Sequence, residues 1–265
     1  MRLHIRTYGP PAGPPVLALH GVRNHGGRYR RLAADALADA WVIAPDLRGH
    51  GRSGWEPPWT RETHVADVLE TLDALGITGP VDVIGHSFGG LIACATAAAA
   101  PDRVRSLVLL DPAAGLDPAA CLAGADQDIH GEGRAATWES VDAARAAWCA
   151  VRPPQGRWAL DEDLAAFLEQ GADGRYRLRY SRAAAVGAWG EMARPVPGLG
   201  DWRGPVTLVT ALREPFVTEA LRAQLRRDCG PLLAEVDIDS GHIMMWDAPG
   251  ETAAVVRAAR ARAAG

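Results

Sequence analysis

The sequence predicts an α/β fold: a doubly wound, mostly parallel sheet with helices on both faces. Three observations carry this. Apolar runs at residues 16–19, 41–45, 81–84, 104–110, 206–212 and 233–238 alternate with segments of helical periodicity. One run, Val81-Asp82-Val83-Ile84, breaks at Gly85-His86-Ser87-Phe88-Gly89-Gly90 into a stretch of helix formers that ends at Pro101. His20, Ser87 and Asp111 each follow the C-terminal end of such a run, where doubly wound sheets bind ligands.

Residues 3–8 alternate in polarity as an edge strand does, and Gly9 to Pro15 stop them. Val16 to Leu19 run into His20-Gly21, and a first helix is expected over 29–40 before the strand 41–45. Within 62–75, Val65, Val68, Leu69, Leu72 and Leu75 form the stripe of a helix lying on a sheet, halted by Gly76. After the strand 104–110 the rhythm changes. No Val/Ile-rich strand occurs from 113 to 204; helical patterns at 140–151 and 161–170 are interrupted by Pro153-Pro154 and by residues 171–174. Five of the nine tryptophans lie in this stretch: Trp138, Trp148, Trp158, Trp189 and Trp202, suited either to an apolar pocket or to a small core of its own. The strand pattern resumes at 206–212, followed by a helix over 218–228, the strand 233–238 and a last helix over 249–264.

Composition narrows the function. A formal charge of −4 and a pI of about 6.1 supply no basic footprint for nucleic acid. All 28 basic residues are arginine, which with the abundant alanine points to a GC-rich coding bias. Cys94, Cys121, Cys149 and Cys229 are too scattered for a metal site and read as reduced residues of a cytoplasmic protein. Met1-Arg2-Leu3-His4 opens no signal peptide or membrane span. A soluble, intracellular protein is the default expectation.

The Gly-His-Ser-Phe-Gly motif is informative because of its setting. With 29 glycines and 6 serines in 265 residues, chance supplies about 0.07 Gly-x-Ser-x-Gly matches. A strained strand-to-helix turn needs its neighbours to lack Cβ atoms, which the flanking glycines satisfy. Strand, serine turn and helix together resemble the nucleophile elbow of the α/β-hydrolase family. Asp46-Leu47-Arg48-Gly49-His50-Gly51-Arg52-Ser53 is similar to the Asp-x-x-Gly-x-Gly-x-Ser turn that members of that family carry after the preceding strand. In this chain it is expected to be a rigid turn in which Asp46 and Arg48 bond locally, making Ser53 a poor nucleophile. Trp55 and Trp59 are candidates to wall the entrance to the site.

The resemblance implies an eight-stranded-type sheet. It implies a core of residues 1–112 and 205–265, and a helical cap of residues 113–204 lying over the site. It makes Ser87 the nucleophile and places an oxyanion hole at the backbone N–H groups of Val22 and Phe88, with His20 holding the loop. A serine hydroxyl needs a base, and that base an orienting acid. His242, in Ser240-Gly241-His242 after the final strand, matches the family's terminal histidine. His86 adjoins the serine, but alternation at a strand end should turn it to the opposite face. Two residues match positions from which the family takes its acid: Glu214 after the strand 206–212, where aspartate is usual, and Asp111 after the strand 104–110, the recognised alternative. Asp111 is preferred because its residue type fits. Arg23, Asn24 and His25, in the loop after His20, could meet substrate or solvent, and Trp246 could influence substrate choice.

The implied reaction is acyl transfer from a small molecule to water, with no metal or organic cofactor needed, a carboxylesterase being the leading reading. Carbon–carbon bond hydrolase, thioesterase, lactonase and perhydrolase use the same residues. A non-catalytic ligand-binding member of the fold is the rival from another class.

Overall fold

The computed structural model describes residues 1–131, 137–151, 157–158 and 160–264. In chain order its elements are β1 (Ile5–Tyr8), β2 (Pro15–Leu19), α1 (Arg30–Ala36), β3 (Trp41–Pro45), α2 (Arg61–Ala74), β4 (Val81–His86), α3 (Phe88–Ala99) and β5 (Val104–Leu110). Then come α4 (Pro118–His130), α5 (Val141–Val151), α6 (Leu160–Phe167), β6 (Leu168–Gln170), β7 (Tyr176–Leu178) and α7 (Arg182–Ala193). The chain closes with β8 (Val206–Ala211), α8 (Glu219–Cys229), β9 (Leu233–Ile238), α9 (Met244–Asp247) and α10 (Pro249–Ala264).

Seven strands form the main sheet in the order β1-β3-β2-β4-β5-β8-β9, all parallel except β1, which runs antiparallel to β3. Its interior strands, β2, β3, β4, β5 and β8, are largely buried and apolar on both faces, as parallel strands between two helical layers must be. Leu17, Leu19, Val83, Leu107, Leu109 and Leu208 pack on the side of α2, α3 and α8; Val16, Ala18, Ile84, Val108, Val209 and Ala211 pack on the side of α1 and α10. This sheet has one strand fewer than the eight-stranded type, among the described residues. The residues before β1 lie across α2 instead, where Leu3 N–H donates to Thr71 Oγ1 and the Met1 amino group pairs with Asp67 and Glu70.

Helix α2 shows how local chemistry sets the boundaries. Thr60 Oγ1 accepts the Thr63 N–H at the start, and the end is a Schellman motif. There Gly76 takes φ 73° and donates to Asp73 O, while Ile77 N–H donates to Leu72 O. The stripe buries Val65, Val68 and Leu72, along with His64, Asp67 and Thr71, a polar inner face that periodicity did not reveal. The first helix is shorter than expected. A 3-10 turn occupies Gly26–Tyr29, and Leu37 departs from helical geometry to deliver Trp41 into β3.

Between β5 and β8 the chain forms α4, α5, α6 and α7, together with the antiparallel β6–β7 ribbon, which sequence reasoning missed. The ribbon's turn is the glycine-bounded stretch 171–174, where Gly171 accepts from Gly174. The break expected at Pro153-Pro154 lies outside the described residues. Trp148, Leu164, Phe167, Leu168 and Tyr180 give this stretch a core of its own. Trp202 packs instead into the main core, its Nε1–H donating to Val104 O.

Candidate active site

Backbone strain marks the elbow. Ser87, between the wholly buried β4 and α3, has φ 56° and ψ −122°, a conformation that ordinary side chains avoid. The glycines are required by contact: a Cβ on Gly85 would sit 2.4 Å from Gly89 O, and one on Gly89 would sit 2.1 Å from Leu19 O. Phe88 is the first residue of α3, so its N–H has no intrahelical acceptor. Its side chain is buried, edge-on to the ring of His64.

Asp111 and His242 are brought together from residues 131 positions apart: His242 Nδ1 lies 2.6 Å from Asp111 Oδ2. Asp111 is fully buried and also has a positive φ, 43°. Its carboxylate accepts further N–H bonds from Phe216, at 3.1–3.2 Å, and from Ala211, at 3.4 Å. The loop that holds Glu214 therefore supplies a backbone donor to Asp111, while the Glu214 side chain is exposed. The Phe216 ring packs on the imidazole of His242 at 4.2 Å between centroids. Phe216 was not singled out from the sequence, where only its place two residues after Glu214 pointed to it.

The loop after β2 is built around His20. Its Nδ1–H donates to Gly21 O, and its Nε2 accepts the Leu47 N–H, both at 2.8 Å; burial keeps the ring's pKa well below its usual value. That structural role matches expectation, as does that of Asp46, which accepts N–H bonds from Gly26 and Arg52 and pairs with Arg6. Arg48 pairs bidentately with Asp67, and Ser53 Oγ donates to Asp46 O. Arg23 takes φ 58° and donates to Asp128 Oδ1 of α4 at 3.1 Å; Trp189 Nε1 of α7 donates to the other oxygen, Oδ2, at 2.7 Å. Asp128 had no signature in the sequence.

One finding corrects the alternation argument. His86 does not turn to the opposite face, because the positive φ of Ser87 ends the strand geometry there. Gly21, Val22, Arg23, Asn24, His86, Ser87, Trp189, Met192, Phe216, His242 and Ile243 surround one cavity of about 120 Å³. His25 is turned away onto Asp163 of α6, at 2.9 Å. Trp55, Trp59 and Trp246 do not line this cavity. Trp59 donates to Trp55 O, and Trp246 stacks under Arg28 beside a cavity of about 250 Å³ on the far side of the His25 loop.

Residues 14–148 match the model of the α/β hydrolase fold family. The chain is 41% identical over 266 residues to lipase LipV of Mycobacterium tuberculosis, covering 96% of each, and 26% identical over 272 residues to esterase YbfF of Escherichia coli, covering 98% of each. Among solved structures it is similar to E-2-(acetamidomethylene)succinate hydrolase, with a TM-score of 0.84 at 23% identity over 98% of this chain and 95% of that one. A marine microorganism esterase superposes with a TM-score of 0.81 at 20% identity, over 97% and 99%. Sheet order, elbow and family match agree, and the chain belongs to the α/β-hydrolase family.

Proposed function

We propose that the protein is a serine esterase of small molecules, working through an acyl-enzyme. The observation that carries this reading is the 2.6 Å Asp111–His242 pair, whose histidine lines the cavity that also holds Ser87 on its strained turn. Asp111 accepts the Nδ1–H of His242, which leaves Nε2 as the ring's basic atom. Ser87 Oγ attacks the ester carbonyl as Nε2 takes its proton. The oxygen that becomes negative is met by the N–H groups of Val22 and Phe88. Nε2–H then protonates the departing alcohol, and a water activated by Nε2 releases the acid and restores the serine. Glu214 is assigned no step, since the loop that bears it already serves Asp111 through Phe216 N–H.

The cavity favours small esters. About 120 Å³ is below the 300–1,000 Å³ of sites for drug-sized ligands, and near the ~150 Å³ that accommodates a benzene molecule. Residues 113–204 act as the cap that roofs it, through Trp189 and Met192. No helix among the described residues is long and apolar enough to cross a membrane. The buried thiols of Cys94, Cys121 and Cys229 suit the reducing cytoplasm. The test is labelling with a fluorophosphonate and turnover of p-nitrophenyl esters. An adduct at Ser87, absent in Ser87→Ala, and faster turnover of the butyrate than the palmitate are expected. An unlabelled native protein that cleaves no ester overturns the proposal.

A further inference from the structure

Two side chains in the cavity wall carry hydrogen-bond acceptors that no group among the described residues satisfies. His86 is 2% exposed; its Nε2 stands 2.9 Å from the backbone carbonyl of His242. A carbonyl only accepts, so Nε2 bears the hydrogen, and Nδ1 of the neutral ring is a bare lone pair. Burial, with the ring of His242 alongside, lowers the pKa of His86 to about 3, so Nδ1 stays unprotonated at neutral pH. That Nδ1 is buried and has no hydrogen-bond partner among the described residues. Asn24, 7% exposed, is in the same condition at Oδ1.

Both residues line the cavity that holds the serine. A Cβ built on Gly21 would lie 3.3 Å from both His86 Nδ1 and Ser87 Oγ, so the acceptor and the serine hydroxyl border one gap beside Gly21. Asn24 lies three residues further along that loop and lines the same cavity. An orphaned buried acceptor costs free energy in the folded protein, and a ligand that donates to it recovers that cost. An apolar ester of the same size leaves both acceptors desolvated and unmet.

We propose that His86 Nδ1 and Asn24 Oδ1 select esters bearing a hydroxyl group close to the scissile carbonyl. The inference rests on the esterase reading above and adds the substrate class. Hydroxyl-bearing esters are preferred whether the group sits on the alcohol or the acyl portion, provided that it reaches either acceptor. His86 has a second duty, because its Nε2–H holds the carbonyl of His242 in place.

Selectivity is the appropriate readout, since it separates recognition from a general loss of activity. Two pairs of esters matched in size test the two portions: 2-hydroxyethyl butyrate against propyl butyrate, and ethyl 3-hydroxybutyrate against ethyl 3-methylbutyrate. The wild type should favour the hydroxyl-bearing member of at least one pair by about tenfold in kcat/KM. Asn24→Leu, or His86→Gln, which keeps an amide donor toward His242 O, should bring that ratio toward one. A slow variant still reports its own ratio, and the wild-type ratio stands whether or not a variant folds. A wild-type ratio of one in both pairs, or a preference that survives in both variants, overturns the inference while fluorophosphonate labelling of Ser87 leaves the esterase reading intact. Loss of that labelling, together with no turnover of any of the four esters, removes both.

Discussion

Phe216 N–H lies 3.1 Å from Asp111 Oδ2, the oxygen that also takes His242 Nδ1. The loop after β8 thus reaches, through its backbone, the carboxylate that follows β5. Asp111→Asn preserves shape but cannot fix the tautomer of His242, and kcat should fall by ~10⁴. Glu214→Ala should cost less than about threefold. Steady-state kinetics on p-nitrophenyl butyrate would decide it, and equal losses in the two variants refute the single-acid assignment.

The strain at Ser87 should be recoverable. With φ at 56°, replacement by glycine removes the Cβ penalty. Ser87→Gly should abolish activity yet stabilise the fold by ~1 kcal/mol, about 2 °C in Tm for a chain of this size. A calorimetric Tm at or below that of the wild type would show that the turn stores no such strain.

Asp128 should act on the chemistry without touching substrate. It balances Arg23, whose backbone follows the proposed oxyanion donor Val22. Asp128→Asn keeps the shape but removes the charge that holds the guanidinium. The expected result is a kcat lowered about tenfold with KM little changed, the pattern of an interaction made in the transition state. A change confined to KM would place its effect in substrate entry instead.

Buried histidines set the response to acid. Burial lowers the pKa of His50 to about 4 and those of His64 and His86 to about 3, and lowers that of His20 as well. The unfolded chain binds these protons near the ordinary value of about 6.5, so between that pH and about 4 it holds more protons than the native state. Stability therefore falls as pH falls through this window, by about 1.4 kcal/mol per pH unit for each fully contributing histidine. Urea midpoints at pH 7 and pH 5 measure it. His64→Leu should flatten the dependence, and identical midpoints in the wild type would contradict the assignment.

The fold was legible because parallel strands buried on both faces must be apolar throughout. Strand β5 occupies the expected residues for that reason; the edge strand β9, with Glu235 and Asp237 exposed, and α10 also span their expected ranges. The elbow was legible because its glycines answer a steric demand local in sequence. What escaped depends on distant partners: Asp128 becomes meaningful only when α4 meets the His20 loop, and Phe216 N–H only when β8 lies beside β5. His86 escaped because strand alternation was carried one residue past the point where the backbone abandons it. The β6–β7 ribbon, three residues per strand, was too short to show a period of two.

The carboxylate of Asp128 grips the roof through Trp189 and the floor through Arg23. One buried carboxylate therefore sets two walls of the cavity at once, Trp189 from α7 and Arg23 from the loop after β2, so a change at position 128 is felt on both sides of the space in front of Ser87.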